Sequence, residues 1–366
     1  MKMWGAVRMV GIVTGLLAVA LGAAAVGAGD VLAWIPYTRM NPEYDNIVAA
    51  LGFEPTATAT TDPADLAALL AGGSVLLIPE QQETDEYTLE ALGRAVAPAL
   101  VSFLKRGGRI VGMTYGKGAD DILRGAGLWD VADGYDVTGA TLAIASPHDP
   151  LAQGVPVEYE GTNGSTDFWN IPDDATVIAW DPYDEAPVVF RWETRGGTVV
   201  MLGFDCYETS DATVRLLANA LGVPLPISKD TVFRDVGREE IERLLTELGL
   251  SFQIGTDAYG DPFWKMVFED IQFALFVDDA VGDGPSRYYH LQLYAGWLTG
   301  GAVPCEVING WNRLMRGSRA YIDEAGDAVL EADLYLGGGV TWETMRQFVE
   351  RFEASLISFF SHILEE

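Results

Sequence analysis

The sequence predicts an α/β domain followed by an α+β domain, and three observations carry that prediction. Up to about residue 225, short apolar runs alternate with stretches of helical period, the pattern of a mostly parallel sheet with helices on both faces. After Ser228 the order changes to helix, strands, helix, hairpin, helix, which suits an antiparallel sheet. The length, 366 residues, exceeds what one ordinary hydrophobic core serves.

The elements follow in order. "DVLAWIPY" reads as a strand, Tyr44 to Leu51 as a helix, and "GSVLLIPE" as a strand apolar enough to be buried on both faces. In "TLEALGRAVAPALVSFLKRGG" the residues Leu89, Leu92, Val96, Leu100, Val101 and Leu104 recur at helical spacing, and Gly107-Gly108 closes the helix. "RIVGM" is the next strand, followed by a tight turn and a short helix from about Ala119. "DATVIAWD", "APVVFRWE" and "GGTVVMLGFD" supply further strands, and "SDATVRLLANALG" a helix with Gly222 as its stop. The first domain spans 30–226 and the second 229–366. The second opens with "REEIERLLTELG", whose Ile241, Leu244, Leu245 and Leu248 share one face. "FWKMVFEDIQFALFVDD" and "RYYHLQLYAGWL" are strand-rich, with the turn signal "GDGPS" between them. "CEVINGWNRLMRG" is helical in tendency, "SRAYIDEAGDAVLEADLYL" a hairpin turning at Glu324 to Asp327. A last helix after Thr341 places Met345, Phe348, Val349, Phe352, Leu356, Phe359 and Ile363 along one stripe.

Charge and the N-terminus narrow the function. With 53 acidic against 23 basic residues and a net charge of -30, the chain would repel a nucleic acid backbone, so nucleic acid is set aside as a partner. Lys2 and Arg8 precede "MVGIVTGLLAVALGAAAVGAG", a positive start and an apolar middle that ends in small residues. This is the layout of a signal peptide over 1–28 with cleavage after Ala28; an uncleaved anchor is the other reading, and the only route by which a membrane would enter. The expected location is therefore periplasmic or extracellular. The only cysteines, Cys206 and Cys305, fall in different domains and are expected to be buried thiols without a bridge.

Two stretches resemble known families. "VINGWNRLMRGSRAYIDEAGDAVLEADLYLGGGVTWETMRQFVERF" resembles the YbjN domain, a family described as bacterial sensory transduction regulators, over about 229–364. Trp311-Asn312-Arg313, the turn from Asp323 to Asp327, and Gly338-Gly339-Val340-Thr341 carry the likeness. It implies a fold similar to type III secretion chaperones, a protein partner or self-association, and no catalytic residues. Read from the residues alone, Trp311 is core, Gly338 and Gly339 form a turn, Thr341 is an N-cap and Asn312 joins a local polar network. The first domain resembles a class I glutamine amidotransferase-like domain, of flavodoxin-like fold, through "LLIPE", "FLKRGGRIVGMTYG", "SPHDPLAQGV" and "GGTVVMLGFDCYE".

Amidotransferase chemistry needs a cysteine thiolate on a strand-to-helix turn and a histidine to take its proton. Gly112 and Gly116 keep the turn, but Thr114 stands where the resemblance puts cysteine, and Asp205 in Phe204-Asp205-Cys206-Tyr207-Glu208 where it puts histidine. The three histidines, His148, His290 and His362, form no zinc spacing. No hydrolase, dinucleotide or P-loop motif occurs, and neither "DDAVGDG" nor "DEAGDAVLEAD" sets carboxylates at the first, third and fifth positions of a calcium loop. No catalytic residue, metal or cofactor is therefore expected. The reading is an exported, non-catalytic binding protein, in which the cleft beside the turn persists as a ligand site lined by Thr114, Tyr115, Asp205, Tyr207 and Glu208. The alternative is an extracytoplasmic hydrolase, which requires Asp205 and Glu208 to converge beside Thr114 with at least one raised pKa.

Overall fold

The structure, a computed structural model, describes residues 30–280 and 287–364. The expected signal segment and the "GDGPS" turn lie outside the described residues. Residues 30–227 and 228–364 belong to two separate compact units.

The first unit contains eleven strands: β1 (Val31–Trp34), β2 (Thr56–Thr58), β3 (Val75–Ile78), β4 (Arg109–Met113), β5 (Ala132–Asp136), β6 (Thr141–Ile144), β7 (Glu158–Glu160), β8 (Thr166–Trp169), β9 (Thr176–Asp181), β10 (Ala186–Thr194) and β11 (Gly197–Leu202). Its helices are α1 (Asp45–Leu51), α2 (Pro63–Leu70), α3 (Glu86–Lys105), α4 (Ala119–Gly125) and α5 (Asp211–Leu221). Nine strands form one sheet in the order β2-β1-β3-β4-β11-β10-β9-β6-β7. The five from β2 to β11 run parallel, and the remaining four extend the sheet antiparallel through the β10–β11 hairpin. β5 and β8 pair separately.

Alternation along β1 shows how the layers form. Val31 and Ala33 face a core that contains Ile47 and Leu51 of α1 and Leu216 and Leu217 of α5. Leu32 and Trp34 face the opposite core, with Leu66 of α2, Leu89 to Leu104 of α3 and Ile122 of α4. Helices thus cover both faces of the parallel strands, which is why their apolar runs are continuous. Asp62 caps α2 and Asp85 caps α3 through backbone N–H bonds of 2.8 Å and 2.9 Å.

The second unit comprises β12 (Val232–Phe233), β13 (Val236–Gly237), α6 (Arg238–Glu247), β14 (Phe252–Thr256), β15 (Pro262–Phe268), β16 (Ile271–Ala280), β17 (Arg287–Trp297), α7 (Cys305–Leu314), β18 (Arg319–Ile322), β19 (Ala328–Tyr335), β20 (Val340–Thr341) and α8 (Trp342–Leu364). Its main sheet runs β14-β15-β16-β17-β19-β18 and is antiparallel throughout. Ring contacts from Phe273 to Phe352 and from Trp297 to Phe359 seat α8 on one face of it. Trp311 is buried against Phe359. Asn312 exchanges two 2.8 Å bonds with the backbone of Ala320, tying α7 to β18. Thr341 accepts the N–H of Thr344, as an N-cap does.

The cysteine expectation needs correction. Both thiols are free, but Cys305 is exposed and only Cys206 is buried, because Cys305 stands in the first turn of α7, away from the stripe formed by Val307, Ile308 and Trp311. Among the described residues no helix is long and apolar enough to cross a membrane.

Candidate functional site

The carboxyl ends of β1, β3, β4 and β11 lie side by side, and the residues following each make the site. Thr114 follows β4 directly. Gly112 is required beneath it, since a Cβ there would sit 2.5 Å from the Ala119 methyl and 2.7 Å from the Met201 sulfur. Gly116 turns the chain at φ +82° into α4. Tyr115 donates its hydroxyl to Asp136 at 2.9 Å, and the Gly116 N–H reaches Asp133 at 2.9 Å. The turn expected from "GMTYG" is therefore present.

Its hydroxyl is not presented to anything outside. Thr114 is fully buried, and Oγ1 donates to Asp120 Oδ1 at 2.6 Å. Burial raises Asp120 to about 6, against the Thr114 hydrogen bond that lowers it. The neighbouring Asp121 is raised to about 7 by burial and by Asp120, while Arg124 bonds Asp121 and lies 3.9 Å from Asp120. These groups anchor α4 below the turn.

Asp205 is 3% exposed and accepts the Tyr207 N–H at 2.7 Å. Gly164, at φ +87°, lets it fit: a Cβ there would lie 2.1 Å from Asp205 Oδ1. Cys206 is buried, its thiol pushed well above its usual value by desolvation and then by Asp205. It is a poor nucleophile there. Tyr207 is exposed, and Glu208 is exposed with Oε2 on the Asn163 N–H at 3.3 Å.

The expected pairing of Asp205 with Glu208 is thus not what the fold builds. One carboxylate is buried and the other lies in solvent, so the hydrolase reading loses its pair. Of the five residues expected to line a ligand site, Thr114 is buried beneath the turn, Asp205 is buried, and Tyr207 and Glu208 are exposed. Tyr115 is half-buried and within electrostatic reach of Asp205 and Glu80.

The partners of Asp205 are two carboxylates that motif reasoning missed. Glu80, two residues past β3, and Glu43, in the turn of helix before α1, each bring an oxygen to within 4.8 Å of Asp205 and of one another. Glu43 is 1% and Glu80 2% exposed. Arg39 reaches Glu43 Oε1 at 3.4 Å, but neither Glu80 oxygen nor Glu43 Oε2 has a hydrogen-bond partner. Desolvation, Asp205 and Glu43 together push Glu80 up to about 9. Desolvation chiefly raises Asp205 to about 7. The neighbouring Gln81 fixes this loop: fully buried, it accepts the Tyr37 N–H at 3.0 Å and donates to Thr38 at 2.7 Å, and its own N–H bonds Lys117 O at 3.2 Å. The signal available in the sequence was positional: Glu80 and Asp205 each close an apolar strand run at its carboxyl end.

No histidine serves this site. His290 pairs with Asp333 at 3.2 Å in the second unit, and His362 lies 2.9 Å from the Val307 carbonyl, joining α8 to α7. His148 stands in a turn, as its flanking residues predict. Asp323 accepts the N–H groups of Ala325 and Asp327 in an ordinary acidic turn.

The fold and site together define an α/β unit with a buried carboxylate cluster and an antiparallel α+β unit. Residues 237–365 match the YbjN family, described as "Putative bacterial sensory transduction regulator". No curated protein matches the chain. Among solved structures, a cytoplasmic protein of Salmonella typhimurium is similar at 12% identity and TM-score 0.37, covering 52% of this chain and 97% of its own. A protein described as ThuA-like, from Bacteroides uniformis, covers 55% of this chain and 93% of its own at 12% identity and TM-score 0.36. The Yersinia pestis type III secretion chaperone SycH, solved with a fragment of YscM2, covers 33% of this chain and 97% of its own at 15% identity and TM-score 0.23. All three TM-scores are low, and the likenesses are distant.

Proposed function

We propose that the protein is an exported, non-catalytic interaction protein: a YbjN-type regulator or chaperone-like domain that binds a protein partner or a second copy of itself, joined to a class I glutamine amidotransferase-like domain that has lost its chemistry. The observation that carries this reading is the match of residues 237–365 to the YbjN family. The sheet of that unit offers a face for it. Phe263 stands opposite Phe276, and Tyr294 packs edge-on against Phe276 at 6.1 Å, a row of half-buried aromatics on the face away from α8. Such rings supply contact area at low entropic cost.

For the first unit, the strand order β2-β1-β3-β4-β11 supports a flavodoxin-like fold. Loss of chemistry is supported by Thr114, whose hydroxyl is committed to Asp120, and by Asp205 where a proton-accepting histidine would be needed. Export rests on Lys2, Arg8 and the apolar run after them.

The test is capture of partners from periplasmic or secreted extract with the full chain, together with its mass in solution. A specific partner or a defined oligomer is expected. A monomer that captures nothing contradicts the reading.

A further inference from the structure

Glu43, Glu80 and Asp205 are brought together with little to satisfy their oxygens. Three carboxyl groups are at least 97% buried and converge to within 4.8 Å, while three of their six oxygens lack a hydrogen-bond partner and one guanidinium, Arg39, touches a single oxygen. Arg39 itself is 45% exposed and shared with Gln82 at 2.8 Å. Carboxyl groups buried in this way are costly in either form, ionised without a counter-charge or protonated without a hydrogen-bond partner.

We propose that these three residues form a binding site for a hard divalent cation, calcium or magnesium. The donor set is oxygen only, with no histidine or thiolate beside it, which favours those ions over zinc or copper. The size fits as well. Oxygens on opposite sides of a calcium ion, at about 2.3–2.6 Å each, lie up to about 5 Å apart, and magnesium closes that span to about 4 Å. Three oxygens all within 4.8 Å of one another lie no more than about 2.8 Å from a common centre, so calcium needs at most a small contraction and magnesium a larger one. Glu80 and Asp205 follow the carboxyl ends of β3 and β11, which flank β4 in the parallel sheet, and Gln81 holds the Glu80 loop against Thr38, so two of the ligands rest on rigid supports. The unpartnered Glu80 oxygens and Glu43 Oε2 are the lone pairs the ion would take. This site is independent of any partner at the second unit.

The experiment is calorimetric titration of chelator-treated full chain with calcium chloride and with magnesium chloride, beside thermal melting in each salt. One saturable site for either ion is expected, with a rise in melting temperature. Glu80→Gln and Asp205→Asn should weaken it at least tenfold and abolish the thermal shift, whereas Glu208→Gln, outside the cluster, should leave both intact. In chelator, Glu80→Gln should melt no lower than the parent chain, which establishes that the variant folds. Absence of saturable binding of both ions, or binding that survives in both cluster variants, overturns the proposal.

Discussion

At the scale of single residues, the site follows from where carboxylates are placed relative to strand ends. Glu80 holds its proton in the folded chain up to about pH 9, whereas its ordinary value is 4.5. Between those limits the folded state binds more protons than the unfolded state, so this group's contribution to stability is complete below about 4.5 and is lost as pH rises toward 9. The slope is up to about 1.4 kcal/mol per pH unit. In chelator, the gap in melting temperature between Glu80→Gln and the parent should therefore widen in favour of the variant from pH 5 to pH 9; a constant gap would contradict the assignment. Thr114 gives a second prediction. Replacing it with valine deprives Asp120 of its 2.6 Å bond and should cost about 1–3 kcal/mol in denaturant unfolding. Thr114→Cys should confer no glutamine hydrolysis, because Asp205 cannot act as a histidine would. Detectable ammonia release from that variant would contradict the proposal that this unit lacks amidotransferase chemistry.

At the scale of elements, the sequence made most of this fold legible. The apolar runs of β1, β3, β4 and β11 and the periodicity of α3, α5 and α8 sufficed, since burial writes itself into hydrophobic spacing. β5 to β8 were not legible: Ala132–Asp136 and Glu158–Glu160 mix polar and acidic residues without a clear period of two. The helix α2 has 8 residues with only Leu66 and Leu70 buried, too short to show a period, although Asp62 followed by Pro63 is a capping signal. Gly93 shows a subtler failure. Inside α3 it reads as a residue that weakens a helix, yet its missing Cβ would lie 2.1 Å from the Ile122 carbonyl, and one at Gly125 would lie 2.2 Å from the Glu90 carbonyl. The two glycines let α3 and α4 approach closely. Gly93→Ala should accordingly destabilise the chain by about 2 kcal/mol or more despite alanine's higher helix propensity, as measured by chemical unfolding. A neutral or stabilising result would show that the two helices can part at little cost. The carboxylate cluster was illegible for another reason: Glu43, Glu80 and Asp205 come from distant parts of the sequence, are common residue types, and meet only because parallel strand order brings their loops together.

At the scale of the whole molecule, two units carry two different capacities. The first holds the buried Glu43, Glu80 and Asp205 cluster at the carboxyl ends of its parallel strands, and its Thr114 turn supports α4 through Asp120. The second presents an antiparallel sheet with helices on one face and the Phe263, Phe276 and Tyr294 row on the other. The net charge of -30 keeps the chain away from polyanions and directs the search for a partner toward proteins. The central claim, interaction through the YbjN-like unit, is tested most directly by parallel capture from extract with the full chain and with its Phe276→Glu variant, their melting temperatures being compared as a check on folding. The account predicts a partner or self-association that the parent chain shows and an equally stable variant loses; capture of nothing by either, or equal capture by both, would contradict it.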